Sequence, residues 1–419
     1  RYRPPFVVRR GGPGALPRSF AMPGPGGRRV LPCETHGTPL RPGGGEQPDS
    51  ADYGDEGSNT LGNIAKAIDG FTLPNLEKLG LGCIDGITDY TAVSEPLGCF
   101  GKMTERSIGK DTTTGHWELA GIRLTSPFPL YPEGFPSYLV EGLEAAIGTK
   151  TLGNYPASGT EIIKVLGRQH VMTGYPIIYT SADSVLQIAA HEEVIPIERQ
   201  YEICKIAREI MRDEHAVGRV IARPFVGIDG GFTRTERRRD FSLKPIRKTI
   251  MDYVKEQGKE VKAVGKIEDI FAGEGITQSV HINGNMDGVD KTLEFIRKRF
   301  SGLIFTNLVD FDMHFGHRNN VEGYAQALRE FDDRVPELMQ ALDEHDMLII
   351  TADHGCDPTT EGTDHTREYV PLLVYGKGLR RGMNLGIRKT FADVAQTVSE
   401  IFNTEGDFDA ESFYKDVIL

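Results

Sequence analysis

The sequence predicts an α/β protein: a mainly parallel sheet flanked by helices, with a smaller α/β cap inserted into it. Three observations predict this. Short β-rich apolar runs recur at 177–180, 217–222, 261–264, 303–309, 347–351 and 370–374. Helical patterns separate several of them, at 61–68, 185–190 with 198–211, 244–256, 290–299, 323–342 and 391–402. Strands alternating with helices bury a parallel sheet on both faces. Between 127 and 245 the Pro, Gly and aromatic content rises, which marks the inserted cap. The core is then 46–126 with 246–419, and the cap 127–245.

Residues 1–45 are foreign to the rest. Nineteen are Gly or Pro, eight are Arg, and Glu34 is the only acid. Such a stretch is expected to form neither helix nor strand, and reads as disordered chain or as translation through a shifted frame. Its helix breakers also spoil the amphipathic helix of a transit peptide.

The remaining composition bounds the function. A chain of 419 residues, 39% apolar and 26% charged, is enzyme-sized. Its net charge of -12 argues against nucleic-acid and anionic-membrane partners. No stretch approaches the roughly 20 apolar residues of a membrane span. Cys33, Cys83, Cys99, Cys204 and Cys356 are scattered and form no C-x-x-C pair, which fits a reducing cytoplasm.

Three clusters carry chemistry. The run 303–309 leads directly into Asp310 and Asp312, with His317 five residues beyond Asp312. Carboxylates at the end of an α/β strand stand where such sheets place their sites, and an imidazole so spaced can share a metal with Asp312. The run 347–351 repeats the pattern with Asp353 and His354, and the next loop supplies Asp364 and His365. One such pair alone would be a solvated loop; two strand ends and a loop histidine make an O/N ligand set for manganese or zinc. Third, Ser107 to Glu118 holds small residues, hydroxyls and Lys110 at a helix start, able to cradle a phosphate and offer a hydroxyl nucleophile, or simply to cap the helix. Jointly the clusters suggest in-line phosphoryl transfer between two divalent ions about 4 Å apart.

Eight strings carry a more specific likeness: GDEGSNTLG from Gly54, GKDTTTGHWE from Gly109, ASGTEI from Ala157, YTSADSVLQIAAHEE from Tyr179, GRVIARPFVG from Gly218, NLVDFDMHFGHR from Asn307, TADHG from Thr351 and GTDHTREYVPLLVY from Gly362. From Gln47 to its last residue the chain resembles the phosphopentomutases of the alkaline-phosphatase superfamily. That resemblance implies an alkaline-phosphatase-like core with an inserted cap, interconverting (deoxy)ribose 1-phosphate and 5-phosphate. It implies Thr112 as the phosphorylated nucleophile. Asp312, His317 and His365 would hold one Mn2+, and Asp353 with His354 the other, beside Thr112. Sugar and phosphate contacts would fall to Ser181, Asp183, Val185, Arg219, Ile221, Arg234 and Lys266, with a sugar bisphosphate such as glucose 1,6-bisphosphate as primer.

The N-terminal segment departs from that pattern. The family opens with an apolar strand ending in an Asp ligand. Counting back from Pro48 and Asp49 puts Leu40 at that Asp and Cys33 to Pro39 at the strand. Leucine offers no lone pair, so the ion beside Thr112 would be held more weakly. A missing central strand would also forfeit about three buried aliphatic side chains, roughly 5 to 9 kcal/mol. Alternative readings are another two-metal phosphatase or phosphomutase of the superfamily, or a sugar-phosphate-binding copy without activity.

Overall fold

The computed structural model describes residues 3–9, 45–181 and 184–419, with side chains in the first stretch from Val7 onward. Its strands, in chain order, are β1 (Arg3–Arg9), β2 (Cys99–Met103), β3 (Leu152–Pro156), β4 (Ile177–Thr180), β5 (Val185–His191), β6 (Arg219–Val226), β7 (Thr233–Arg234), β8 (Arg239–Ser242), β9 (Glu260–Val264), β10 (Gln278–Val280), β11 (Gly302–Thr306), β12 (Asp346–Thr351), β13 (Val370–Tyr375) and β14 (Asn384–Arg388). They make two sheets. The larger runs β10-β9-β11-β1-β12-β13-β2-β14, and the smaller β3-β4-β5-β6-β7, with β8 also paired to β6.

In the larger sheet β10, β9, β11, β12, β2 and β14 point one way, while β1 and β13 point the other. Alternate side chains feed cores on opposite faces. Ile349 packs with Trp117, Met251, Phe305 and Phe391, while its neighbours Leu348 and Ile350 pack with Leu76, Ile304, Tyr324 and Leu328. Helices Thr60–Ala67, Asn285–Arg297 and Val321–Ala341 cover this second face; Thr112–Leu119, Ile250–Glu256 and Asp393–Phe402 cover the first. Among the described residues no helix is long and apolar enough to cross a membrane.

The expectation that residues 1–45 form no strand fails at Arg3–Arg9. This segment lies between β11 and β12, antiparallel to both. Val7 enters one core and Val8 the other, so two aliphatic side chains fill a slot expected to be empty. Prolines cannot donate to a ladder, and the pairing with β12 shifts register between Arg3 and Phe6, across Pro4 and Pro5. Arg9 anchors the other end. It is 4% exposed, donates Nε to Asp346 at 3.1 Å and Nη2 to Asp343 at 3.0 Å, and meets the Lys298 carbonyl. The positions from Cys33 to Leu40 lie outside the described residues.

A second correction concerns 185–190, predicted as helix. It is β5, parallel to β6 and buried at every residue. A short, fully buried apolar run lacks the alternation that separates strand from helix. The smaller sheet draws its strands from 152–242; helices Ser137–Ile147 and Ile197–Ile210 pack one face, and Gly159–Thr173 the other.

Candidate active site

The chain leaves the larger sheet after β11 and β12 at the same edge, and the ionisable groups gather there. β11 ends at Thr306, three residues before the predicted end, because 307–310 lead out into a π-helical turn, Phe311–Phe315. Such wide turns aim side chains that a regular helix would not. The turn buries Asp312 to 2% exposure. His317 Nε2 lies 2.9 Å from Asp312 Oδ1, and His365 Nε2 lies 3.5 Å from the same oxygen. The two rings stack at 4.9 Å. His317 Nδ1 is 2.6 Å from the Thr363 carbonyl, which can only accept, so Nδ1 carries the hydrogen and Nε2 is left as a ligand atom.

After β12, Asp353 and His354 are almost wholly buried. Asp353 Oδ2 lies 3.2 Å from His354 Nε2, and His354 Nδ1 donates to the Gly355 carbonyl at 2.8 Å. The His354 and His365 rings stack at 3.9 Å and so join the two groups. Both groups fit divalent ions by their chemistry: hard carboxylate oxygens and neutral imidazole nitrogens converge, with the hydrogen-bearing nitrogens of His317 and His354 turned away. Cys356, which the sequence did not single out, brings its Sγ within 4.8 Å of ligand atoms of Asp312 and His317. Its soft sulfur matches the hard carboxylate oxygen of this group less well than the His365 imidazole does.

Thr112 opens helix Thr112–Leu119, directly after the N-cap Asp111, whose Oδ1 accepts from Thr113 N at 2.9 Å and Thr114 N at 3.2 Å. This helix runs against Asp353. A methyl group on Gly115 would drive into the Asp353 carbonyl, so glycine is what lets the two segments touch. Arg367 fixes the preceding loop, donating Nη1 to the Ser107 and Gly109 carbonyls at 2.9 and 2.7 Å and Nη2 to the Glu105 carbonyl at 2.8 Å. Lys110, at the start of the same helix, pairs with Asp55 at 2.8 Å. Behind Gly355, burial and then the nearby Asp357 push the Glu368 carboxyl up to about 7, against the hydrogen bonds it accepts from Thr366 and Thr60.

Other expected contact residues stand on the smaller sheet. Val185 pairs with Arg219 and Gln187 with Ile221, so these four share a face, two residues apart along each strand. Ser181 Oγ lies 3.5 Å from Gln187 Nε2, and Gln187 Oε1 accepts from Arg223 Nε at 3.0 Å. Arg234, on the two-residue strand β7, reaches Gly159 at the start of helix Gly159–Thr173, where the buried Tyr179 hydroxyl also points. Asp183 lies outside the described residues. Lys266 follows β9 of the larger sheet by two residues; its Nζ is 3.9 Å from Met313 Sδ, in the turn that carries Asp312.

Gln187, Arg223, Arg367 and His116 were not singled out by sequence reasoning. All four sit inside motif strings, Arg367 three residues after Asp364 and His116 four after Thr112, which was the available signal.

A family model described as the metalloenzyme superfamily matches residues 43–406. Curated phosphopentomutases align along almost their whole length. That of Acetivibrio thermocellus is 64% identical over 376 residues, covering 90% of this chain and 97% of the relative. That of Caldanaerobacter subterraneus subsp. tengcongensis is 60% identical over 377 residues, covering 90% and 96%. The enzyme of Carboxydothermus hydrogenoformans is 60% identical over 373 residues, covering 89% and 96%.

Proposed function

This chain belongs to the phosphopentomutase family within the metalloenzyme superfamily, and on that premise we propose that it interconverts (deoxy)ribose 1-phosphate and 5-phosphate through a phosphothreonine on Thr112. The observation that carries this reading is the contact of Gly115 with the Asp353 carbonyl, which sets a hydroxyl-bearing helix start against a buried carboxylate and imidazole. A nucleophile and a ligand set so joined suit phosphoryl transfer.

Asp312, His317 and His365 would hold one Mn2+, and Asp353 with His354 the other. Bound there, the ions neutralise phosphoryl charge and lower the pKa of an attacking hydroxyl. The phosphoryl group on Thr112 passes to the free hydroxyl of a pentose monophosphate: the P–O bond to Thr112 Oγ1 breaks, a P–O bond to the sugar oxygen forms, and the proton lost by the sugar hydroxyl is balanced by the one that the departing Thr112 Oγ1 takes up. The resulting bisphosphate then returns its other phosphoryl group to Thr112, leaving the isomeric monophosphate. Glucose 1,6-bisphosphate or a similar primer supplies the first phosphoryl group.

Residues 127–245 act as a substrate cap over the core formed by 46–126 and 246–419. On it Ser181, Asp183, Val185, Arg219, Ile221 and Arg234, with Lys266 from the core, orient the sugar and its second phosphate. The arginines suit this because a guanidinium offers paired donors to phosphate oxygens. The reaction is placed in the cytoplasm.

The test is conversion of ribose 1-phosphate to ribose 5-phosphate by the purified chain with Mn2+ and glucose 1,6-bisphosphate, beside Thr112→Ala. Turnover abolished in the variant is the expected result. Hydrolysis of phosphate esters without isomerisation would overturn it in favour of another two-metal phosphatase. Sugar-phosphate binding with no chemistry would favour a silent copy.

A further inference from the structure

We propose that His116 is a positioning residue that locks the Thr112 helix start to the Asp353 carboxylate, an inference that rests on the reading of Thr112 and Asp353 given above. The His116 side chain is 1% exposed and lies one helical turn after Thr112. Its Nδ1 is 2.8 Å from the Thr112 carbonyl oxygen and 3.0 Å from Asp353 Oδ2. The carbonyl can only accept, so Nδ1 carries the hydrogen and directs it at Thr112, while Asp353 Oδ2 lies in contact beside it. On the far side of the ring, Nε2 lies 3.1 Å from the Asn307 amide nitrogen, which can only donate. A neutral imidazole with its hydrogen on Nδ1 therefore satisfies the Thr112 carbonyl and the Asn307 amide at once, with the Asp353 carboxylate held against the same nitrogen. The ring also stacks on Phe305 of β11, with centroids 5.6 Å apart and planes at 27°.

His116 thus ties together the segments that deliver the chemistry: the Thr112 helix, the end of β12 at Asp353, and Asn307, where β11 turns toward Asp312. Its Nδ1 lies against Asp353 Oδ2 at 3.0 Å and so restricts where the carboxylate can turn. The same nitrogen fixes the Thr112 carbonyl. Partners of this kind around a metal ligand are worth about 10–100-fold in metal affinity or activity.

Three substitutions separate hydrogen bonding from packing. His116→Asn keeps a nitrogen donor near the position of Nδ1, His116→Gln carries its donor out toward Nε2, and His116→Phe keeps only the ring stack. Each is compared with the unsubstituted chain by Mn2+ titration calorimetry, by phosphoryl labelling of Thr112 from 32P-labelled glucose 1,6-bisphosphate, and by kcat and KM for ribose 1-phosphate, with thermal midpoints alongside. We expect His116→Gln and His116→Phe to lose about 10–100-fold in labelling rate and in affinity for one of the two Mn2+ ions, with KM unmoved, and His116→Asn to recover most of both. Wild-type labelling and Mn2+ affinity in His116→Phe, or an equal fall in Asn and Gln, would overturn the proposal. If His116→Phe fails to fold, the Asn and Gln pair decides. If the unsubstituted chain turns over no pentose phosphate, the proposed function fails, while the Mn2+ affinities still judge His116.

Discussion

The two groups at the sheet edge are built differently. Asp312, His317 and His365 come from separate turns, and the His317 side chain remains 37% exposed. Asp353 and His354 are adjacent in sequence, almost wholly buried, and backed by His116 and Gly115 of the Thr112 helix, whose preceding loop Arg367 fixes. The first group gains its donors by bringing distant chain together; the second has fewer of its own and depends on what packs behind it. Substitutions in the first should therefore remove a metal site cleanly, while those around the second should disturb metal, nucleophile and stability together.

The largest expected effect is at the first group. Asp312→Ala should lower kcat by about 10²–10³-fold, with loss of one class of Mn2+ site in calorimetry and little change in folding. Retention of both Mn2+ classes would erase the distinction. Next, Arg367→Met should cost about 3–5 kcal/mol in urea unfolding, because it strips donors from buried carbonyls and leaves Glu105 and Asp49 without their shared cation. A loss below about 1 kcal/mol would show that the loop before Thr112 holds itself.

The pH dependence is of similar size. Glu368 behind Gly355 is raised to about 7 in the folded protein, from an ordinary 4.5. Between those values the folded chain keeps a proton that the unfolded chain has lost, so stability falls as pH rises. About 2.5 pH units at about 1.36 kcal/mol each give about 3 kcal/mol. Urea midpoints of metal-free protein at about pH 5 and about pH 8, beside Glu368→Gln, should show that fall in the parent alone. Parallel pH profiles would sink the assignment. Smallest is Gly115→Ala, whose methyl must push the Thr112 helix off the Asp353 carbonyl: about 1–3 kcal/mol of stability, slower labelling of Thr112, and one Mn2+ class retained.

The first group was legible because its chemistry follows from local text: an apolar run, then carboxylates, then a histidine at fixed spacing. The backing of the second was not. His116 matters through Asp353 and Asn307, each about two hundred residues further along the chain, and no local pattern announces such a contact. The arrangement of β5 was missed because Val185, Leu186, Ile188 and Ala189 are all buried, and burial on both faces removes the periodicity that distinguishes a strand. β1 was missed for the opposite reason. The Gly and Pro of the whole 1–45 segment outweighed the short run Phe6, Val7 and Val8, although an existing gap between two strands asks only for a few aliphatic residues and tolerates prolines at the strand entrance.

That placement of β1 bears on how the chain comes off the ribosome. The smaller sheet closes within 152–242, so its pairings become available while much of the larger sheet is still unsynthesised. β1 emerges first and waits longest, since Arg9 meets Asp346 only after 337 further residues have been made. Contacts of such separation form slowly. The slot of β1 therefore closes only once β12 has been made, with β13 and β14 completing the sheet after it, and until then the edge of β11 is open to pairing with other chains.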